Sequence, residues 1–160
     1  PIFSDAASAF FIDENNLPLI HSTFSYTDGS GGKNLCLKED KNGKKNLFMQ
    51  GTNVFTFTAE KVPMATKIIL EKANLKIDEI KYFVYHQASS IVLRTIKDKL
   101  DIKDDLFYND IKDHGNTVSS TIPIALIKLD KKKILPKKKP ILIMGFGVGY
   151  SLCGGIFSFV

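Results

Sequence analysis

Alternating apolar and polar stretches divide the first third of the chain. Residues 3–12 and 19–26 are rich in aliphatic and aromatic side chains, and the polar residues 13–16 separate them. Apolar runs of this length on either side of a polar turn predict two strands. Residues 40–45 form the most polar stretch of the chain, and they predict a turn at the surface.

The next segment has the apolar spacing of a single helix. The apolar side chains between residues 53 and 73 recur every three or four positions, and this spacing predicts a helix. They are Phe55, Ala59, Val62, Ala65, Ile69 and Ala73. Pro63 has no amide hydrogen, so it should either kink this helix or lie in the first turn of its main segment. Asn74 is expected to end the helix in the left-handed conformation.

The remaining residues alternate between strand and helix patterns. Residues 82–85 predict a short buried strand, and Ser89 or Ser90 is placed to cap a helix after it. Residues 119–129 predict another helix, which tolerates Pro123 in its first turn. The apolar face of the helix after the strand consists of Val92, Leu93, Ile96 and Leu100.

Two closing strands are predicted at residues 141–144 and 152–160, joined by the glycine-rich residues 145–149. The predicted order is therefore two strands, a helix, a strand, two helices and two strands. That order is typical of an α/β domain in which helices are layered on a mixed β-sheet.

Composition narrows the class of protein. A length of 160 residues with 44% hydrophobic residues is typical of one globular domain. No apolar run approaches the roughly 20 residues of a membrane helix, and no secretory signal is recognisable. Two cysteines are too few for a disulfide scaffold and fit a reducing cytoplasm. Because the chain starts without Met, we expect it to be a segment of a longer protein.

The net charge of +5 comes mostly from the lysines at 131–133 and 137–139. Their simplest interpretation is a solvated helix end and turn. A basic docking patch for an acidic carrier or a nucleotide phosphate is the alternative. Nucleic acid is not expected as a partner, because no recognition motif accompanies the lysines.

Three polar segments lie at predicted strand or helix boundaries, where active-site groups of α/β sheets tend to lie. His86 leaves an apolar strand just before a helix, His114 and Asn116 precede a helix, and residues 145–149 form a glycine-rich loop. Each has a structural interpretation when it is taken alone: a satisfied histidine, a turn residue and a simple connection. The loop is also no dinucleotide site, because it leads into a strand and not into a helix.

Taken together and in this order, these segments resemble the carboxy-terminal half of β-ketoacyl-acyl carrier protein synthase III. The matching segments are HQAS at 86–89, HGNTVSSTIPIAL at 114–126 and GFGVGYSLCGG at 145–155, with FSDAASAFFI at 3–12, YTDGSGG at 26–32 and MQGTNVFTFTAEKVP at 49–63. The resemblance implies a thiolase-like half with a mixed sheet. It makes residues 1–160 the carboxy-terminal domain of an enzyme whose amino-terminal half carries the nucleophilic Cys.

The family resemblance also implies an activity. An acyltransferase of this family takes an acyl group from coenzyme A onto its Cys, decarboxylates malonyl-acyl carrier protein and joins the two in fatty acid biosynthesis. No metal or cofactor is implied, since a coenzyme A thioester is the substrate. The implied partners are acyl-CoA, malonyl-acyl carrier protein, the chain's own amino-terminal half and a second copy in a cytoplasmic homodimer.

The resemblance assigns roles to particular residues. His86 and Asn116 match the catalytic His and Asn, and a neutral imidazole and a carboxamide can both donate hydrogen bonds to the enolate left by CO₂. The backbone N–H of Val148 matches the second oxyanion donor, while His114 is expected to be structural. The pantetheine and acyl tunnel is implied to run along Gly51, Phe55 and Ala88.

Two features depart from the family. The family has Asn and Arg where Ser89 and Ile91 stand, and that Arg is implicated in carrier docking. Docking is therefore expected either to use Arg94 or the lysines instead or to be weak. Neither Cys36 nor Cys153 matches the nucleophile, so the chain alone is expected to be inactive. A non-condensing acyltransferase and a non-catalytic thiolase-like binding module are the alternatives.

Overall fold

The computed structural model describes residues 2–11 and 13–159. Its strands are β1 (Leu19–Thr27), β2 (Leu35–Glu39), β3 (Lys45–Met49), β4 (Tyr82–Tyr85), β5 (Ile141–Gly147) and β6 (Ser151–Ser158). Its α-helices are α1 (Gly51–Ala73), α2 (Ser90–Leu100), α3 (Ile111–His114) and α4 (Thr121–Lys131). Short 3-10 turns lie at Glu14–Asn16, Gly29–Asn34, Ile77–Glu79 and Val118–Ser120.

The predicted mixed sheet is confirmed. Four strands pair in the order β1-β6-β5-β4, and only the pair of β4 and β5 is parallel. In that pair Tyr82 lies opposite Ile141 and Tyr85 opposite Met144. The carboxyl ends of β4 and β5 therefore meet at one edge of the sheet, which is where α/β proteins place their sites.

Helices cover the centre of the sheet on both faces. Phe83 and Tyr85 of β4 belong to the core shared with α1 and α2, whereas Val84 packs with Leu126 and Leu129 of α4. Successive side chains of a strand point to opposite faces. An uninterrupted apolar run at residues 82–85 is therefore what a strand buried on both sides requires.

Local chemistry sets the helix boundaries. Asn74 ends α1 in the left-handed region with φ of 52° and ψ of 43°, as predicted. Ser89 caps α2, because its side-chain oxygen accepts a hydrogen bond from the Val92 amide at 3.3 Å. Pro63 lies well inside the 23-residue α1, so the alternative that places it in a first turn is wrong. Pro123 does lie in the first turn of α4.

The strand predicted at residues 3–12 is wrong over residues 3–11, and Ile12 lies outside the described residues. The segment makes a single bridge, between Phe3 and Asn116. Phe11 is 92% exposed, and among the described residues no strand pairs with this segment. An apolar run without a neighbouring strand gains no ladder of hydrogen bonds, so its composition alone does not make it a strand.

The chain between the first strand and the first helix was incompletely predicted. β2 and β3 form a separate antiparallel hairpin around the predicted turn at residues 40–45, in which Leu35 pairs with Met49. The glycine-rich connection is also shorter than expected, because β5 continues through Gly147 and leaves only residues 148–150 outside the strands. Val160, the last residue of the predicted closing strand, lies outside the described residues.

Candidate active site

A cavity of about 780 Å³ opens at the carboxyl ends of β4 and β5. Its walls come from the amino-terminal ends of α1, α2 and α4, from the β2–β3 hairpin and from the glycine-rich connection. All six residues to which the sequence assigned a role line it: Gly51, Phe55, His86, Ala88, Asn116 and Val148. Most of the remaining lining is apolar, which suits a narrow organic chain with a few polar groups at its end.

His86 lies at the first position after β4, and its backbone amide donates to the Met144 carbonyl at 2.9 Å. Its ring nitrogen Nδ1 lies 2.7 Å from the hydroxyl of Thr121, and its ring packs edge-on against Phe146 with centroids 5.3 Å apart. Burial lowers the pKa of His86 to about 4, because the charged form loses its hydration. The imidazole is therefore neutral at pH 7.

Asn116 is buried, and its side-chain oxygen accepts a hydrogen bond from the Val118 amide at 2.9 Å. Its backbone carbonyl accepts from the Ser4 amide at 2.9 Å, so the segment before β1 helps to hold it. With the carbonyl oxygen engaged, the side-chain NH₂ group remains as the donor. Val118 adopts a φ of 54°, a conformation that costs a β-branched residue energy and is concentrated at functional sites.

The connection that carries Val148 is anchored to the 3-10 turn after β1. Asp28 and Tyr150 exchange two backbone hydrogen bonds, each 2.8 Å long. The Tyr150 ring packs on Phe57 of α1 with centroids 4.6 Å apart. Val148 itself is exposed and lines the cavity.

His114 does not line the cavity and belongs to a different cluster. The ligand atoms of Asp110, Asp113 and His114 lie within 4.8 Å of one another, a spacing that could hold a metal ion. The ammonium group of Lys128 contacts all three, at 2.6, 3.2 and 3.1 Å respectively. Since Lys128 already supplies the positive charge, the cluster is an ion-pair network that ties α3 to α4.

The two cysteines lie away from the cavity lining. Cys36 is on β2 and Cys153 is on β6. Neither lies at the start of a helix, where the dipole would lower a thiol pKa. Both are therefore poorly placed to carry an acyl group.

The two positions at which the side chain differs from the family pattern, Ser89 and Ile91, both lie at the start of α2. Ser89 serves as the helix cap, and Ile91 is 57% exposed while lining the cavity. None of the lysines at 131–133 and 137–139 lines the cavity. α4 begins at the cavity with Thr121 and carries its last lysine, Lys131, 10 residues later, which is about 15 Å along a helix. Their simpler interpretation, a solvated helix end and turn, is the one that this placement favours.

Sequence reasoning missed other groups in the cavity. Leu35, Leu47 and Met49 of the hairpin form an apolar wall, and their alternation in two short segments could have revealed it. Thr121 and Phe146 touch the His86 ring. No signal in the sequence distinguishes Thr121 from any other threonine at the start of a helix.

Comparisons with known proteins match the chain to one family. A family model described as 3-oxoacyl-[acyl-carrier-protein (ACP)] synthase III C terminal matches residues 70–159. The chain is 30% identical over 158 residues to beta-ketoacyl-[acyl-carrier-protein] synthase III of Clostridium beijerinckii, covering 92% of the chain and 49% of that protein. The corresponding protein of Clostridium novyi is 31% identical with the same coverage.

Solved structures show the same relationship. A crystal structure of a 3-oxoacyl-(acyl-carrier-protein) synthase III superposes with a TM-score of 0.79 at 30% identity, covering 94% of this chain and 50% of that one. The Thermus thermophilus enzyme gives 0.81 at 25% identity, with 88% and 46% covered. The chain thus spans about half the length of the relatives it matches. Among the described residues, no helix has the length and hydrophobicity needed to cross a membrane.

Proposed function

Because the chain belongs to the 3-oxoacyl-[acyl-carrier-protein] synthase III family, whose carboxy-terminal part it matches over residues 70–159, we propose that its protein condenses an acyl group with malonyl-acyl carrier protein. The acyl group comes from acyl-CoA, in fatty acid or related lipid biosynthesis. The chain supplies one half of the site. The nucleophilic Cys belongs to an amino-terminal half, and the complete enzyme is a cytoplasmic homodimer.

The observation that carries this proposal is the convergence of His86 and Asn116 on one apolar cavity. Each side chain has one polar atom held by the protein: Nδ1 of His86 by Thr121, and the oxygen of Asn116 by the Val118 amide. Among the residues that the structure describes, none hydrogen-bonds to Nε2 of His86 or to the NH₂ group of Asn116, so both are left for a substrate. Two polar groups fixed in an otherwise apolar pocket stabilise a charge better than they would in water.

The backbone donors act in the first step of the reaction, and the side chains of His86 and Asn116 act in the second. The nucleophile takes the acyl group, and backbone N–H groups including that of Val148 stabilise the oxyanion formed. The carboxylate of the malonyl thioester then leaves as CO₂, and its bonding electrons move through the α-carbon to the thioester oxygen. Hydrogen bonds from Asn116 and His86 stabilise that enolate, whose carbon attacks the acyl-enzyme.

The lining of the cavity fits the shape of these substrates. Gly51, Phe55 and Ala88 line its wall together with apolar hairpin residues, and they receive the pantetheine arm and the acyl chain. A Cβ added at Gly51 would meet no atom within 4 Å, so the tunnel has room at that point. The substrate is a coenzyme A thioester, and the chemistry requires no metal or other cofactor.

A product analysis tests the proposal. The full-length protein, given acyl-CoA and malonyl-acyl carrier protein, should yield a 3-oxoacyl carrier two carbons longer than the acyl group, detected by mass spectrometry. Radiolabelled acetyl-CoA should leave no stable thioester on the chain alone, because Cys36 and Cys153 lie outside the cavity lining. Products consisting only of esters or amides would indicate the non-condensing acyltransferase. Absence of any acyl transfer would indicate the binding module.

A further inference from the structure

The hydroxyl of Thr121 lies within hydrogen-bond distance of two groups, a ring nitrogen of His86 and a backbone carbonyl oxygen. Its oxygen is 2.7 Å from Nδ1 of His86 and 3.0 Å from the backbone carbonyl oxygen of Val118. Thr121 is only 4% exposed, so these two protein groups are the main partners of its hydroxyl. Both distances are within the normal range for hydrogen bonds.

A count of protons orients both contacts. A carbonyl oxygen only accepts, and a hydroxyl has a single proton to give. If the Thr121 hydroxyl donates to Val118, then Nδ1 must carry a proton and donate to Thr121, and both contacts are hydrogen bonds. If the hydroxyl instead donates to Nδ1, two oxygen atoms face each other at 3.0 Å with no proton between them. The first arrangement makes two bonds in a buried place where the second makes one.

We propose that Thr121 is a positioning residue that holds His86 in the Nδ1–H tautomer in the unliganded site, so that Nε2 offers a lone pair to the cavity. Within the described residues, 2–11 and 13–159, nothing else hydrogen-bonds to Nε2. The lowered pKa of His86 keeps the ring neutral at pH 7, so the ring carries one proton and only one of its two nitrogens is protonated. The partner of one ring nitrogen thus determines what the other nitrogen can do.

The consequence for the reaction rests on the function proposed above. A neutral Nδ1–H imidazole has no proton on Nε2 and cannot donate to the enolate. Nε2 must first accept the proton of the nucleophilic thiol: the S–H bond breaks, an N–H bond forms, and a thiolate and an imidazolium result. The thiolate takes the acyl group and coenzyme A leaves as a thiolate that solvent protonates.

When the malonyl thioester is bound, its negative charge, first on the carboxylate and then on the enolate oxygen, favours the imidazolium, so Nε2 carries a proton that it donates in a hydrogen bond to the enolate oxygen. When the enolate carbon attacks the acyl-enzyme, the nucleophile leaves as a thiolate. It recovers the proton from Nε2, so His86 ends the cycle neutral.

Nitrogen-15 NMR of the histidine rings in the intact protein tests the tautomer directly, with the His86 signals assigned by their loss in a His86→Gln variant. We expect a protonated-type shift at Nδ1 and an unprotonated-type shift at Nε2. Thr121→Val should move the proton to Nε2, the form that a free imidazole prefers. Thr121→Ser should restore the Nδ1–H tautomer, because it keeps the hydroxyl.

Thr95→Val is the matched control. Thr95 is also a helical threonine whose hydroxyl donates to a backbone carbonyl, that of Ile91 at 2.9 Å, but it does not touch His86. It should leave the His86 spectrum unchanged. A wild-type spectrum with the proton on Nε2 would overturn the proposal, and this result does not require that any variant folds. So would a His86 spectrum that is the same in wild type and Thr121→Val.

The rate of acyl transfer to the nucleophile tests the proton-accepting role of His86 separately. Thr121→Val should slow acyl transfer to the nucleophile about 10-fold or more, which is less than the roughly 10²–10⁴-fold that a positioned base contributes because His86 itself remains. Thr121→Ser should recover the rate. If the tautomer is as expected but the protein condenses nothing, the proposed function fails and the inference about Thr121 stands. A normal rate in Thr121→Val together with a changed tautomer would contradict the proton-accepting role.

Discussion

Asn116→Ala is expected to reduce condensation by about 10²–10³-fold in the full-length protein, the usual cost of removing one donor from a developing negative charge. Asn116 is buried with its side-chain oxygen held by the Val118 amide, so its NH₂ group is the part of the side chain that can donate to the enolate. His86→Ala should cause a loss at least as large. Acylation of the nucleophile should remain measurable in Asn116→Ala, because backbone N–H groups stabilise that oxyanion. In His86→Ala acylation should be slowed as well, because the base that accepts the thiol proton is gone.

Two further variants sharpen this test. Asn116→Asp keeps the shape of the side chain but replaces the donor with a negative charge, so it should be as inactive in condensation as Asn116→Ala. Asn109→Ala removes an exposed asparagine that only accepts a hydrogen bond from the Ile111 amide at 3.2 Å, and it should behave as wild type. Rates of acylation and condensation are measured separately by radiolabel transfer. Equal losses in both steps for Asn116→Ala would contradict the division of roles.

Gly31→Ala is expected to destabilise the fold and to disturb the site from a distance. A Cβ at this position would overlap the ring of Tyr150, which is buried against Phe57. Overpacking of this kind typically costs about 1–3 kcal/mol. Since Tyr150 and Asp28 share two backbone hydrogen bonds, displacing the ring also moves the connection that carries Val148.

Gly29→Ala is the matched control for Gly31→Ala. Gly29 lies in the same 3-10 turn, and a Cβ there would meet nothing within 4 Å. Thermal unfolding followed by circular dichroism should give a melting temperature for Gly31→Ala several degrees below that of Gly29→Ala, at about 2–4 °C for each kcal/mol. Equal melting temperatures would mean that Tyr150 moves aside without cost and does not hold the connection in place.

The sequence predicted best those elements that local chemistry determines. Asn74 reaches the left-handed conformation that ends α1, and Ser89 caps α2 as its side chain allows. β4 is recognisable because it is covered on both faces and therefore apolar throughout. In each case the decisive interactions lie within a few residues of one another.

The failures concern interactions between distant residues. Residues 3–11 have the composition of a strand, yet whether they pair depends on a neighbour that their own sequence does not specify. His86 and Asn116 were assigned together only through the family resemblance, since nothing in their separation along the chain predicts contact. Thr121 was missed because its role depends on the position of a ring that belongs to another element.

Release of CO₂ from a malonyl thioester tests the central claim most directly. The full-length wild-type protein is first acylated with acyl-CoA and then given malonyl-acyl carrier protein labelled in its free carboxylate. If His86 and Asn116 stabilise an enolate, labelled CO₂ should be released in amounts equal to the 3-oxoacyl product, and Asn116→Ala should release about 10²–10³-fold less. An acylated wild-type enzyme that releases no CO₂ from any malonyl carrier would contradict the condensing function.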